Sequence, residues 1–235
     1  ASRPVQASSL LGPIGADRRF VWIETRMSDV ADVRRRCGAT VNDVALAAIA
    51  GGFRQLLLAR GEEPTARMVR SLVPVSTRER GTESVTDNQV SLLLPYLPVD
   101  VADPLERLHA VHRRLRRLRA AHQPEGGVAI TSAAELGPFP LVSWGLRAAW
   151  RLPQHQVTTV TTNVPGPPME LYCLGRPVRS LVPWVPIADH LRVGVAMLSY
   201  RDALTFGLTG DHESMPDLQV LADGIAESWS ELAAR

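Results

Sequence analysis

The stretch Thr40–Gly61, "TVNDVALAAIAGGFRQLLLARG", decides how this 235-residue chain folds. It opens as a helix start: Thr40 at the cap position and Asp43 at the third helical position form a capping box, with the carboxylate well placed against the helix dipole. Gly61 supplies the stop. Between them, Val41, Val44, Leu46, Ile49, Phe53, Leu56 and Leu57 spread apolar side chains over nearly every face. A helix of that pattern has to be covered on several sides. The capping box accounts for Thr40 and Asp43 but not for Asn42, a mediocre helix former in an otherwise apolar element.

Elements that can cover it lie on both sides in the chain. "RRFVWIET" (18–25) reads as a strand, followed by a short helix that Ser28 caps and that closes near Gly38. "RMVRSLVPVSTR" (67–78) and "NQVSLLLPYLPV" (88–99) read as strands around a charged loop at 79–87, the Leu92–Leu94 run suiting a strand covered on both faces. Asp103-Pro104-Leu105-Glu106 starts a helix that carries Leu105, Leu108, Val111, Leu115 and Leu118 at spacings of three and four. Pro138 and Pro140 break 131–151 into a short helical piece and a helix over 140–151. Strand-like "QVTTVTTNV" (156–164) follows, then "MELYCLG" (169–175) and "PVRSLVPWVPI" (177–187). A hairpin from "LRVGVAMLSY" (191–200) to "ALTFGLTGD" (203–211) and a last helix over about 215–233 complete the chain. Strands and helices intersperse without strict alternation, which indicates a mixed α/β layered domain over 18–235. Residues 1–17, rich in Ser, Pro and Gly, read as a linking segment.

Composition narrows the classes. Hydrophobic residues make up 45% and charged residues 21%, the balance of a globular domain rather than a disordered chain. No uncharged apolar run reaches bilayer-spanning length, and the first residues lack a signal-peptide layout. Cys37 and Cys173 alone do not make a disulfide framework or a metal-type spacing, so a cytoplasmic setting is expected. All 26 basic residues are Arg, which reads as a coding bias of a G+C-rich genome, so Arg counts overstate functional Arg.

Four clusters carry candidate chemistry. Asn42 and Asp43 stand at the head of the buried helix. "VPVSTR" (73–78) ends a strand in two hydroxyls and Arg78, where α/β folds often gather polar groups. "TTVTTNVPGPP" (158–168) puts hydroxyls on both faces of a strand and closes it with a turn that Pro165 and Gly166 stiffen. Such rigidity suits a group that donates to a developing oxyanion; the same residues also read as a plain strand end with solvated threonines. The helix 103–122 carries Arg107, Arg113, Arg114, Arg116, Arg117 and Arg119 against Asp103 and Glu106, a net +4 that reads as a solvated face. It lacks the aromatics that stack on bases, so nucleic acid is not an expected partner. His109, His112 and His122 lie on or just after this helix and are expected to be exposed. No zinc-protease, nucleophile-elbow or phosphate-loop pattern appears.

Taken together and in order, "LLGPIGADRRF", "GATVNDVALAAIAGGFRQLLLARGE", "LVPVSTRERG", "NQVSLLLPYLPVDVADPLERL", "TTNVPGPP" and "MLSYRDALTFGLTGD" resemble the carboxy-terminal half of bacterial wax ester synthase/acyl-CoA:diacylglycerol acyltransferases. The blocks run from about residue 8 to the end, and the Asn-Asp pair and the "NVPGP" turn are the specific motifs. The resemblance implies half of a chloramphenicol-acetyltransferase-like, CoA-dependent acyltransferase fold, in which two similar α/β halves enclose an active-site tunnel. In that family the amino-terminal half carries HHxxxDG, whose second histidine is the general base on an alcohol or diacylglycerol hydroxyl that attacks the acyl-CoA thioester. No such motif occurs here.

The resemblance therefore implies an acyltransferase half that lacks its base and is silent alone, whether separately expressed, proteolytically released or one piece of a nicked enzyme. Residues 1–17 become the crossover from a missing amino-terminal half, which is the expected protein partner. Acyl-CoA and diacylglycerol or a fatty alcohol are the expected substrates, with no permanently bound cofactor or metal, and with peripheral association at a membrane or lipid droplet. Asn42 and Asp43 are expected to shape the tunnel. Thr161, Thr162 and Asn163 are expected to polarise or orient the thioester carbonyl, on the turn that Pro165 and Gly166 fix. Arg78 is assigned to the domain interface or the CoA side. The alternative is a non-catalytic lipid-, CoA- or protein-binding module of the same fold. One departure from the family pattern is the hairpin turn Tyr200-Arg201-Asp202-Ala203, where glycine is usual, so its form is expected to differ.

Overall fold

The computed structural model describes residues 4–76, 90–122, 157–188 and 190–235. Its elements are β1 (Arg18–Arg26), α1 (Met27–Cys37), α2 (Val41–Ala59), β2 (Ser71–Ser76), β3 (Val90–Leu93), α3 (Pro104–His122), β4 (Thr159–Pro165), β5 (Tyr172–Cys173), β6 (Arg176–Pro177), β7 (Val193–Tyr200), β8 (Ala203–Asp211) and α4 (Leu218–Ala234). The expected helix at 140–151, the loop at 79–87 and Arg78 lie outside the described residues.

The main sheet runs β1-β8-β7-β4-β2-β3. Its β1/β8, β8/β7 and β2/β3 pairs are antiparallel, whereas β4 pairs in parallel with β7 and β2. Alternation sorts the strands into two faces. Val193, Val195 and Met197 of β7 and Leu204, Phe206 and Leu208 of β8 join α2 and α4 in one apolar core. Across the other face lies the segment 181–187: a Cβ at Gly194 would stand 2.9 Å from Val185 Cγ1 and 3.2 Å from Ile187 Cγ2. The sequence reading made this segment a strand. Pro183 and Pro186 have no N–H for a ladder, and the chain crosses the sheet as irregular cover instead. Likewise Pro95 and Pro98 end the expected 88–99 strand early, leaving β3 and a single bridge between Arg70 and Tyr96.

Helix α2 is buried as its composition requires, and it is the one helix among the described residues long and apolar enough to cross a membrane. Its burial depends on a close crossing with α4. A Cβ at Gly52 would stand 2.5 Å from Ile225 Cγ1 and 2.8 Å from Leu221 O, so the two backbones meet where no side chain fits.

Local signals were mostly obeyed. The capping box at Thr40 and Asp43 forms in both directions. Asp103 Oδ1 accepts the Leu105 and Glu106 amides at 2.9 Å, starting α3. Gly38 closes α1 with a left-handed φ of 60°. The cap at the other end of α1 is a correction. Ser28 does not cap it; Asp202, in the β7–β8 turn, accepts Met27 N–H on its carbonyl at 2.9 Å and Ser28 N–H on Oδ1 at 3.1 Å. In that turn Arg201, not Asp202, takes the left-handed conformation at φ 52°, which leaves Asp202 free for the helix end.

Residues 4–17 lie along the domain. Leu10 is in the core, Arg192 Nη1 donates to Ser9 O at 2.9 Å, and Gly15 N–H donates to Asp211 Oδ1 at 2.7 Å. The buried Asp211 carboxylate also accepts Ser214 N–H and O–H at 2.9 and 2.6 Å. Burial acts to raise its pKa, but the Ser214 and Gly15 hydrogen bonds and the Arg18 charge together outweigh it and hold the carboxyl below its ordinary value.

Two outcomes test this packing. Gly52→Ala gains helix propensity of about 1 kcal/mol, but overpacking at the α2–α4 crossing costs about 1–3 kcal/mol. Urea unfolding should therefore show a net loss of stability. Because the folded pKa of Asp211 lies below the unfolded one, its contribution is complete above about pH 4 and is lost as pH falls through the folded value. Asp211→Asn should lower Tm at pH 7 and flatten the dependence of Tm on pH below about 4.

Candidate functional site

The first half of β4 is built from hydroxyls that the fold itself consumes. Thr158 Oγ1 donates to Met68 O at 3.0 Å and accepts Arg70 N–H at 3.1 Å. Thr159 Oγ1 donates to Val193 O at 3.0 Å, and Thr161 Oγ1 shares a short hydrogen bond with Ser71 Oγ on β2. Thr158, Thr159 and Thr161 are all buried, so the reading of solvated threonines is corrected. They brace β4 between its parallel neighbours. Thr162 and Asn163 differ: both are half-buried, and no hydrogen bond among the described residues engages either side chain. These two are left able to donate to something else.

The turn after them is held by backbone contact. Gly166 N–H donates to Ser199 Oγ at 3.2 Å, and a Cβ on Gly166 would lie 2.1 Å from Ser199 O. Only glycine fits, and Pro165 pairs in register with the same Ser199. The strand end is thus fixed on both sides of Asn163.

A second polar centre forms at the head of α2. Asp43 has no exposed surface. Its Oδ2 accepts Thr40 N–H at 2.9 Å and lies 2.9 Å from His112 Nδ1 on α3. A carboxylate oxygen accepts, so the imidazole donates Nδ1–H in this contact. Beside it Asn42 Nδ2 and Asp43 Oδ1 are buried without a hydrogen-bond partner among the described residues. The sequence reading assigned His112 to the exposed face and missed this contact. The signal was present: His112 falls four residues after Leu108 and three before Leu115, on the shoulder of the apolar stripe.

The same spacing corrects the view of the Arg-rich face. Arg107 is only 2% exposed, and half-buried Arg114 donates to Tyr96 O at 2.8 Å. The solvated charge of α3 is therefore smaller than its composition suggests. No hydrogen bond among the described residues joins the α2 head to the β4 end. On the sheet's outer face, Phe20 and Trp22 stack at 6.2 Å between centroids and remain exposed, as do Val164, Val182 and Trp184.

Comparison with known proteins matches the family model described as "WS/DGAT C-terminal domain" to residues 86–233. The probable diacyglycerol O-acyltransferase tgs1 of Mycobacterium tuberculosis is 47% identical over 228 residues, covering 97% of this chain and 49% of the relative. The structure of the wax ester synthase/diacylglycerol acyltransferase from Marinobacter aquaeolei VT8 superposes with a TM-score of 0.77 at 25% identity, covering 98% of this chain and 53% of that one. The starter condensation domain of rhizomide synthetase RzmA shares the fold, with a TM-score of 0.55 at 15% identity over 100% of this chain and 49% of that one. The chain spans about half the length of the relatives it matches.

The Asp43–His112 contact predicts a coupling. In a double-mutant cycle of Asp43→Ala and His112→Ala followed by urea unfolding, the interaction energy should be about 1–2 kcal/mol, against ~0 for uncoupled neighbours. Asp43→Ala alone should cost more than His112→Ala, because it also removes the capping box.

Proposed function

Since the chain belongs to the wax ester synthase/diacylglycerol acyltransferase family, we propose that it is the carboxy-terminal half of an acyl-CoA-dependent O-acyltransferase acting on diacylglycerol or a long-chain alcohol. The observation that carries the reading is the braced β4 end, where Thr162 and Asn163 keep unengaged polar side chains on a backbone that cannot relax.

In the reaction, a histidine of the amino-terminal half takes the proton of the acceptor hydroxyl. The oxygen attacks the thioester carbonyl carbon, and negative charge collects on the carbonyl oxygen. Collapse re-forms the carbonyl and breaks the carbon–sulfur bond; the CoA thiolate leaves and takes up the proton. Preorganised donors aimed at the developing oxyanion are worth more than mobile ones, because they need no reorganisation during reaction. Thr162 and Asn163 project to opposite faces of β4, so either Thr162 O–H or Asn163 Nδ2–H is assigned that role. Thr161, Pro165 and Gly166 hold them in place, and Asn42 and Asp43 shape the tunnel wall, where the orphaned Asn42 amide is suited to meet a polar group of substrate or partner. The exposed Phe20, Trp22, Val182 and Trp184 support an apolar contact with the amino-terminal half. Arg78 is assigned to that interface or to the CoA phosphates. We read the assembled enzyme as cytoplasmic and peripherally associated with a membrane or lipid droplet.

The test is complementation, with thiol release from acyl-CoA as the readout. The chain alone should give background rate, since a missing general base forfeits about 10²–10⁴-fold. Adding the HHxxxDG-bearing half should restore activity. In the mixture, one of Thr162→Val and Asn163→Ala, and not both, should lower kcat by about 10²-fold with little change in KM. Full activity from this chain alone sinks the reading. CoA or lipid binding with no activity in the mixture favours the non-catalytic module.

A further inference from the structure

We propose that the β5–β6 hairpin is an interfacial anchor, whose tip inserts into a phospholipid surface that carries anionic headgroups. The inference deepens the peripheral-association reading above and rests on it.

The hairpin stands apart from the main sheet as a separate two-stranded ribbon, pairing Tyr172 with Pro177 and Cys173 with Arg176. Its turn residues, Leu174 and Gly175, both have positive φ, at 50° and 77°. Such a turn favours Asn-Gly or Gly-Gly, and a leucine there is conformationally costly. Nor does packing account for it, because Leu174 is 99% exposed, the most exposed large apolar residue described. A residue that neither its backbone nor its neighbours favour points to a contact outside the chain. Tyr172 on the ribbon and Met169 just before its base are exposed as well, although Tyr172 O–H donates to Glu170 Oε2 at 2.8 Å.

Two further observations identify the contact as lipid. Arg176 and Arg179 lie just behind the tip, exposed and with no partner among the described residues. An apolar point backed by free guanidinium groups matches acyl chains beneath anionic headgroups, with the arginine stems lying along the boundary. The nearby Glu170 carboxylate does not oppose this, since Arg201 at 2.9 Å neutralises it. The ribbon is also stiff at its base. Buried Tyr200 accepts Leu171 N–H at 2.9 Å and donates to Val178 O at 3.0 Å, and Val178 N–H bonds Leu171 O at 2.8 Å. A preformed finger loses little conformational entropy on insertion.

The experiment is co-sedimentation of the 235-residue chain, without acyl-CoA, on vesicles of phosphatidylcholine with phosphatidylglycerol and on vesicles of phosphatidylcholine alone. The chain should bind the anionic vesicles, and added salt should weaken binding. Leu174→Asn places a residue tolerant of left-handed backbone and should lower partitioning about tenfold with no loss of Tm. The pair Arg176→Glu and Arg179→Glu should reduce binding to the phosphatidylcholine level. In a Cys37→Ser background, a polarity-sensitive fluorophore on exposed Cys173 should shift to the blue on anionic vesicles. If the parent chain binds but Leu174→Asn binds equally and the probe does not shift, the hairpin proposal falls while peripheral association stands. No binding by the parent chain overturns both. If Leu174→Asn instead loses only its capture of the amino-terminal half, the hairpin is a protein contact and the proposal is wrong.

Discussion

The arrangement of helices over the sheet depends on one buried guanidinium. Arg107 leaves α3 and donates Nε–H to Ala47 O in the middle of α2, Nη1–H to the Val101 and Ala102 carbonyls, and Nη2–H to Ser228 Oγ on α4. A guanidinium taken from water without partners costs several kcal/mol. Here its donors meet dipoles from every side, and Glu231 stands 3.9 Å away. Burial lowers its pKa from the ordinary value, with Glu231 acting in the opposite sense. The fork geometry matters as much as the charge, because a lysine ammonium cannot face α2, α4 and the loop before α3 at once.

The position of the α2 head follows from that clasp. With α3 fixed at Arg107, His112 lies little more than one turn further along and meets Asp43 at the start of α2. The residues that cap α2 are thereby tied to a second helix, which keeps Asn42 and Asp43 from fraying as a helix end otherwise would. At the other centre, β4 has parallel neighbours on both sides, and its buried hydroxyls bond to both. Both centres hold polar groups on rigid elements, the condition under which a hydrogen-bond donor can favour a transition state over a ground state.

Much of this was legible in the chain because it is local. The capping box, the Asp-Pro start of α3, the Gly38 stop and the all-round apolar surface of α2 depend on residues within a turn or two of one another. The reading failed where the deciding contact was remote. Ser28 looked like a cap, but Asp202 occupies that role from 174 positions away. Residues 177–187 looked like one strand, but beyond Pro177 in β6 the prolines and the glycines of β7 and β8 made 181–187 a cover for the sheet. Thr158 to Asn163 looked uniform, and only the neighbours of β4 separate the consumed hydroxyls from the unengaged side chains.

The sequence by itself determined the class of fold, the family through its Asn-Asp pair and "NVPGP" turn, and the identity of most elements. Periodicity and caps act over short range, and motif order survives without coordinates. Tertiary structure alone decided which of the many arginines is a buried clasp, that His112 belongs with Asp43, and that Leu174 stands exposed. Each of these depends on what stands opposite a side chain across a gap between elements, and hydropathy or spacing along one strand or helix does not encode that partner.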